Sequence, residues 1–123
     1  MLQDTRGRRI LLVEDEAMIA MLVEDMLEDL GHELVTVAGR LEEALAAARN
    51  QVVDLAILDL SVGGVMTYPV ADVLVERGIP FIFATGYGSG GLKEAYAARS
   101  TLQKPFNMET LGQAIRQALG RET

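Results

Sequence analysis

Apolar and polar positions along this chain come in blocks whose period switches repeatedly between that of a strand and that of a helix. The least interrupted apolar block, Val52 to Gly64 (VVDLAILDLSVGG), runs into Asp59 and then into a loop ending in Gly63-Gly64. Such a continuous run of Val, Leu and Ile suits a strand covered on both faces, in the middle of a parallel sheet. Arg9 to Val13 predicts a first buried strand, closed by the acidic run Glu14-Asp15-Glu16. From Ala17 to Leu30, the residues Met18, Ile19, Leu22, Met26 and Leu30 recur at three- and four-residue spacing, with Glu24, Asp25, Glu28 and Asp29 between them. This is an amphipathic helix with Gly31 placed to cap its C-terminus. Glu33 to Val37 reads as an edge strand, Leu41 to Arg49 as an alanine-rich helix, and Val53 to Leu58 as the central strand. Pro69 to Arg77 predicts a third helix stopped by Gly78, followed by a strand over Pro80 to Ala84 that ends in Thr85. A glycine-rich loop, Gly86 to Gly91, leads to a helix over Lys93 to Ala98 and a short last strand, Ser100 to Gln103. Asn107 is a good N-cap for a final helix carrying Leu111, Ile115 and Leu119 on one face. Strands and helices alternate five times, the pattern of a doubly wound α/β fold: a five-stranded parallel sheet with helices on both faces.

Composition narrows the options. With 123 residues, half of them hydrophobic, the chain makes one domain, 1–123, with a core from about residue 9 to 119 and flexible termini. A net charge of −7 disfavours nucleic acid and anionic membrane surfaces. The absence of cysteine excludes thiolate chemistry and Cys-ligated zinc, and the one histidine, His32, leaves little for a His-based metal site or a triad. Arg8-Arg9 ahead of an apolar run suggests an export signal, but Ile10 to Val13 is too short for a signal core. No segment is long enough to span a bilayer, so the expected location is cytoplasmic.

The candidate chemistry sits at the strand ends. The first strand ends in Glu14-Asp15, the third in Asp59, the fourth in Thr85 and the fifth in Lys104. In a doubly wound sheet ordered 2-1-3-4-5, strands one and three are neighbours at the topological switch point, where ligands bind. Three carboxylates would crowd one crevice there. At about 4 Å and an effective dielectric of about 20, each pair repels by roughly 4 kcal/mol. Such a cluster calls for a counter-ion or a raised pKa. All-oxygen ligation points to a hard cation, Mg²⁺ rather than Ca²⁺, because the oxygens are too few for a closed calcium cage. Lys104 offers a point charge for phosphate, and Thr85 a hydroxyl donor. Together these groups make a phosphoryl-transfer site with a carboxylate nucleophile.

From Arg9 to Leu119 the chain resembles a response-regulator receiver domain: Glu14-Asp15, Asp59, Thr85 and Lys104-Pro105-Phe106 match that family's motifs in order, each at a strand end. The resemblance implies a flavodoxin-like receiver fold and supplies the strand order. It implies that Asp59 accepts a phosphoryl group from a histidine kinase or a histidine phosphotransfer protein. Asp15, Asp59 and the backbone carbonyl of Ser61 would hold Mg²⁺, Glu14 would act mostly through water, and Thr85 and Lys104 would bind phosphoryl oxygens. Pro80-Phe81-Ile82-Phe83-Ala84-Thr85-Gly86-Tyr87 is also similar to the PFxFATGY signature of the "FAT GUY" single-domain receivers, linked to stress-response phosphorelays. On that likeness the chain is a stand-alone phosphoacceptor rather than an enzyme. It would relay phosphate, drain it from a kinase or dock on a downstream protein target, as a monomer or weak homodimer. The alternatives are a pseudo-receiver that binds without phosphorylation and a small-molecule aspartyl-phosphate hydrolase. The second is weakened because Ser61 stands where such phosphatases carry a second acid.

Thr101 occupies the position where the family commonly carries a switch aromatic; Tyr87, two residues beyond Thr85, either takes part of that role or is a loop tyrosine with no switch role. Gly86 to Gly91 also formally satisfies GxGxxG, but a dinucleotide fold would want an acid at the next strand end, which carries Lys104 instead. These glycines read as a loop beside the site. His32, in the turn before the second strand, reads as solvated surface, as do the acids of the first helix.

Overall fold

The computed structural model describes residues 7–85 and 101–120. The elements run β1 (Arg9–Val13), α1 (Ala17–Asp29), β2 (Glu33–Ala38), α2 (Leu41–Asn50), β3 (Leu55–Asp59), β4 (Ser61–Val62), β5 (Val65–Met66), α3 (Tyr68–Arg77), β6 (Phe81–Thr85), β7 (Thr101–Gln103) and α4 (Met108–Gly120). Five strands form one parallel sheet in the order β2-β1-β3-β6-β7. This is the expected 2-1-3-4-5 order of a doubly wound, flavodoxin-like sheet. The helix expected over Lys93 to Ala98, the glycine loop from Gly86 and Tyr87 lie outside the described residues.

Period-two alternation sorts the central strands between two cores. Leu11, Val13, Ala56, Leu58, Phe81 and Phe83 face α2 and α3, where Ala44, Ala48, Ala71 and Leu74 meet them. Ile10, Leu12, Leu55, Ile57, Ile82 and Ala84 face α1 and α4, against Val23, Leu27, Leu111 and Ile115. Phe83 is fully buried and meets Phe81 and Tyr68 edge to face, with centroids 5.5 and 5.7 Å away. At the amino ends of the strands, Arg9 and Asp54 clamp β1 to β3. The Asp54 carboxylate accepts the Arg9 backbone N–H at 2.8 Å and guanidinium bonds at 3.2 and 3.3 Å.

Caps end the helices where glycine and asparagine predict. Gly31 (φ 86°) and Gly78 (φ 69°) take the left-handed conformation that closes α1 and α3. His32 N–H donates to Leu27 O and Ile79 N–H to Leu74 O, the six-to-one bonds of Schellman ends. Asn107 Oδ1 accepts the Thr110 N–H at 2.9 Å, and Thr110 Oγ1 accepts the Asn107 N–H at 3.1 Å, a reciprocal cap at the start of α4.

Three readings need correction. The stripe expected to bury α1 is displaced: Ala20, Val23 and Leu27 are buried, whereas Met18 is 79% and Leu22 57% exposed. At about 100° per residue, the buried arc is turned roughly a quarter-turn from the stripe. Ile19, Met26 and Leu30 border this arc and pack partly buried against the same core, while Met18, Met21 and Leu22 are left exposed on the flank. The Gly63-Gly64 loop is instead the turn of a two-stranded hairpin, β4-β5. Both glycines have positive φ (57° and 79°), as a type I′ turn requires. His32 is half-buried rather than solvated, and its Nδ1 accepts the Arg8 N–H at 3.3 Å. Burial first, and the charge of Arg8 second, hold its pKa below the ordinary value. Element ends otherwise shift by a residue or two, the largest shift being the start of β3, at Leu55 instead of Val53.

Candidate phosphoryl-transfer site

Parallel pairing carries the ends of β1, β3, β6 and β7 to one edge of the sheet. Val13 pairs with Leu58, Asp59 with Ala84, and Thr85 with Gln103. The residues just beyond therefore converge: Glu14 and Asp15 after β1, Asp59 closing β3, Thr85 closing β6, and Lys104 after β7. One carboxylate oxygen from each of Glu14, Asp15 and Asp59 lies within 4.8 Å of the others. Glu14 is buried, at 4% exposure; Asp59 is half-buried and Asp15 exposed. The crevice thus has an enclosed end and an open one.

Lys104 is the cation that holds the acids together. Its Nζ lies 3.0 Å from Glu14 Oε1 and 3.2 Å from Asp59 Oδ2. Burial alone would pull the ammonium pKa down, but the hydrogen bonds and charges of Glu14 and Asp59 outweigh it and raise the value. The Glu14 carboxyl is pushed up, by burial foremost; the Lys104 bond opposes this and the neighbouring Asp59 adds to it. Lys104 is aligned by its own backbone, whose N–H donates to Thr85 O at 2.9 Å, and the Lys104–Pro105 peptide that follows is cis. Thr85 itself is buried at the carboxyl end of β6.

Asp15 accepts the Gly63 N–H at 2.9 Å, so the turn of the β4-β5 hairpin lies against the acidic cluster. The hairpin also sets the direction of Ser61. In a ladder closed by a two-residue turn, the flanking pair Val62–Val65 exchanges hydrogen bonds, and Thr67 N–H donates to Leu60 O at 2.9 Å one step beyond. Ser61 and Met66 lie between those pairs, so the Ser61 carbonyl points out of the ladder. Three carboxylates and an outward carbonyl, with no nitrogen or sulfur donor among them, fit a hard divalent cation such as Mg²⁺.

The structure thus gathers Glu14, Asp15, Asp59, Thr85 and Lys104 at one edge and puts Ser61 immediately beyond it. Two contributors were not singled out from the sequence. In the sequence Gly63 reads as a loop residue, although a Gly-Gly pair between Ser61-Val62 and Val65-Met66 is a hairpin signal. Thr67 carried no visible signal. It is fully buried, and its hydroxyl lies 2.6 Å from Asp59 O and 3.1 Å from Leu60 O.

Residues 10–116 match the family model described as the response regulator receiver domain. The transcriptional regulatory protein PdtaR of Mycobacterium tuberculosis is 33% identical over 118 residues, which cover 93% of this chain and 58% of that protein. The phyllosphere-induced regulator PhyR of Methylorubrum extorquens is 34% identical over 114 residues, 89% of this chain and 43% of that protein. The chain therefore spans about half the length of these curated relatives. Among solved structures, SdrG of Sphingomonas melonis Fr1 superposes with a TM-score of 0.82 at 39% identity, covering 95% of this chain and 99% of that one.

Proposed function

The chain belongs to the response regulator receiver domain family, and on that premise we propose that it accepts a phosphoryl group on Asp59 from a histidine kinase or histidine phosphotransfer protein, in the presence of Mg²⁺. The observation that carries this reading is the Lys104 ammonium bridging buried Glu14 and Asp59, with Asp15 in the same cluster. A carboxylate oxygen of Asp59 forms the new bond to phosphorus as the bond to the donor breaks, and the donor leaves with that electron pair. The product is an acyl phosphate, reversed by attack of water. Lys104 neutralises the phosphoryl oxygens from the side of β7, and Thr85 donates a hydrogen bond from β6. Asp15, Asp59 and the Ser61 carbonyl would hold the cation, with Glu14 behind them; when bound, it supplies positive charge to the carboxylates and the phosphoryl oxygens.

A phosphodonor protein would dock on the apolar flank of α1. Met18, Met21 and Leu22 are exposed there, beside a hollow of about 350 Å³ lined by Ile19, Leu22, Val23, Met26, Pro105 and Phe106, with Lys104 at its edge. The same reading makes the domain a phosphoacceptor rather than a turnover enzyme, acting in the cytoplasm through a downstream protein. The likeness to PhyR, a stress response regulator, supports a role in stress signalling, and the likeness to SdrG, which adopts a BeF3-activated conformation, supports activation at the acceptor site. No helix among the described residues is long and apolar enough to cross a membrane.

Intact-protein mass after incubation with acetyl phosphate tests the chemistry. One phosphoryl adduct is expected, dependent on Mg²⁺ and absent in Asp59→Asn. An adduct that persists in Asp59→Asn would move the acceptor elsewhere. An unmodified wild-type protein would leave a receiver that takes phosphate only from its protein partner, or a pseudo-receiver that binds without phosphorylation.

A further inference from the structure

Threonine at the start of a helix ordinarily turns its hydroxyl forward, onto the free N–H groups of the first turn. Thr67 does not. It occupies the N-cap position of α3, but its side chain makes no capping bond there. The first-turn amides of Val70 and Ala71 are taken by the Thr67 main-chain carbonyl instead, at 3.0 and 3.3 Å. The hydroxyl reaches back to the carbonyl oxygens of Asp59 and Leu60, at 2.6 and 3.1 Å, from a position with no solvent exposure.

We infer that Thr67 is a positioning residue for the acceptor site: its hydroxyl and amide fix the backbone of Asp59 and Leu60, and so aim the Asp59 carboxylate and the Ser61 carbonyl at one cation. This inference rests on the proposed phosphoacceptor function and names a residue of that same site. The Asp59 carbonyl and the Asp59 Cα–Cβ bond are attached to one Cα, and β3 pairing already constrains that residue on its amino side. Holding the carbonyl therefore fixes where the carboxylate emerges. One residue on, the Leu60 peptide is held at both ends. Leu60 N–H donates to Ala84 O at 3.2 Å, and Leu60 O accepts the Thr67 amide at 2.9 Å. Ser61 is next, between the Leu60–Thr67 bond and the Val62–Val65 pair, so the ladder on both sides of it sets the direction of its carbonyl. Thr67 thereby closes the base of the β4-β5 hairpin, while the Gly63–Asp15 bond holds its tip. Small displacements at such a site are costly because in-line transfer depends on alignment.

The test compares wild type with Thr67→Val, which keeps the shape and loses the hydroxyl, and Thr67→Ser, which keeps the hydroxyl. Mn²⁺ affinity, Mg²⁺ affinity and the initial rate of acetyl-phosphate uptake are measured well below the unfolding midpoint. Thr67→Val is expected to weaken metal binding by about tenfold, the weight of a buried hydrogen bond, and to slow uptake most at subsaturating Mg²⁺. Thr67→Ser is expected to restore both. A Thr67→Val protein that is less stable but binds metal with wild-type affinity would overturn the inference, as would a serine variant as defective as valine. In the wild-type protein, the amide resonances of Leu60, Ser61 and Thr67 should shift on Mg²⁺ titration with one common dissociation constant; a Thr67 amide that stays still would refute the coupling even if Thr67→Val fails to fold. Failure of wild-type protein to take up phosphate would count against the proposed function, and the metal titrations would still decide the role of Thr67.

Discussion

Replacing Lys104 by methionine keeps most of the apolar stem of the side chain and removes its ammonium group. Its Nζ lies 3.0 Å from Glu14 and 3.2 Å from Asp59, and the three side chains are 22%, 3% and 17% exposed. Without the ammonium, the carboxylates of Glu14, Asp15 and Asp59, within 4.8 Å of one another, are left to repel by about 3–4 kcal/mol per pair at an effective dielectric of about 20. Breaking a buried ion pair from one side costs about 3–5 kcal/mol. With one edge of the cluster open to solvent, we expect a loss of roughly 2–4 kcal/mol at neutral pH without divalent cation. For a domain of this size that is a fall in Tm of about 6–20 °C.

Two dependences identify the cause. The Glu14 carboxyl already sits above its ordinary value of 4.5 in the fold, and loss of Lys104 removes the group that opposes this. Between the ordinary and raised values the folded state then binds more protons than the unfolded chain, so stability falls as pH rises through that window. The deficit of Lys104→Met should accordingly shrink on acidification. Millimolar Mg²⁺ should also stabilise Lys104→Met more than wild type, because the cation no longer competes with an ammonium for the same oxygens. Thermal unfolding of both proteins across pH, with and without Mg²⁺, gives all three numbers. Equal stability of the two proteins at neutral pH, with equal gains from Mg²⁺, would refute the view that Lys104 neutralises this cluster.

Other perturbations probe the scaffold. His32 is the chain's sole histidine; with its folded pKa below 6.5, the unfolded chain binds more protons, so stability should fall as pH drops through and below about 6.5. Imidazole NMR titration reads that pKa directly, and His32→Phe should flatten the dependence. Gly78→Ala, at φ 69° with nothing within 4 Å of the added methyl, should cost about 1 kcal/mol from backbone strain alone in urea denaturation. Gly120→Ala, in the last turn of α4 with equally open space but no positive φ, should be neutral or gain a few tenths of a kcal/mol.

Local sequence determined the order and type of the helices and of the five strands of the main sheet, because periodicity and caps act within a few residues, but not the short β4-β5 hairpin. The apolar run before Asp59, the glycines after α1 and α3, and Asn107 before α4 each do their work locally. Strand-end acids, a threonine and a lysine were enough to bring out the candidate chemistry. The tertiary structure decided what depends on partners distant along the chain. Which arc of α1 is buried was settled by the side on which Ala20, Val23 and Leu27 meet the sheet and α4, not by the width of its apolar stripe. Lys104 meets Glu14 across 90 residues and Asp59 across 45, a juxtaposition set by parallel pairing. Thr67 could not be recognised from the sequence, since a threonine ahead of a helix looks like an ordinary cap. Only the turn of the β4-β5 hairpin brings its hydroxyl back, eight residues along the chain, onto the carbonyl of Asp59.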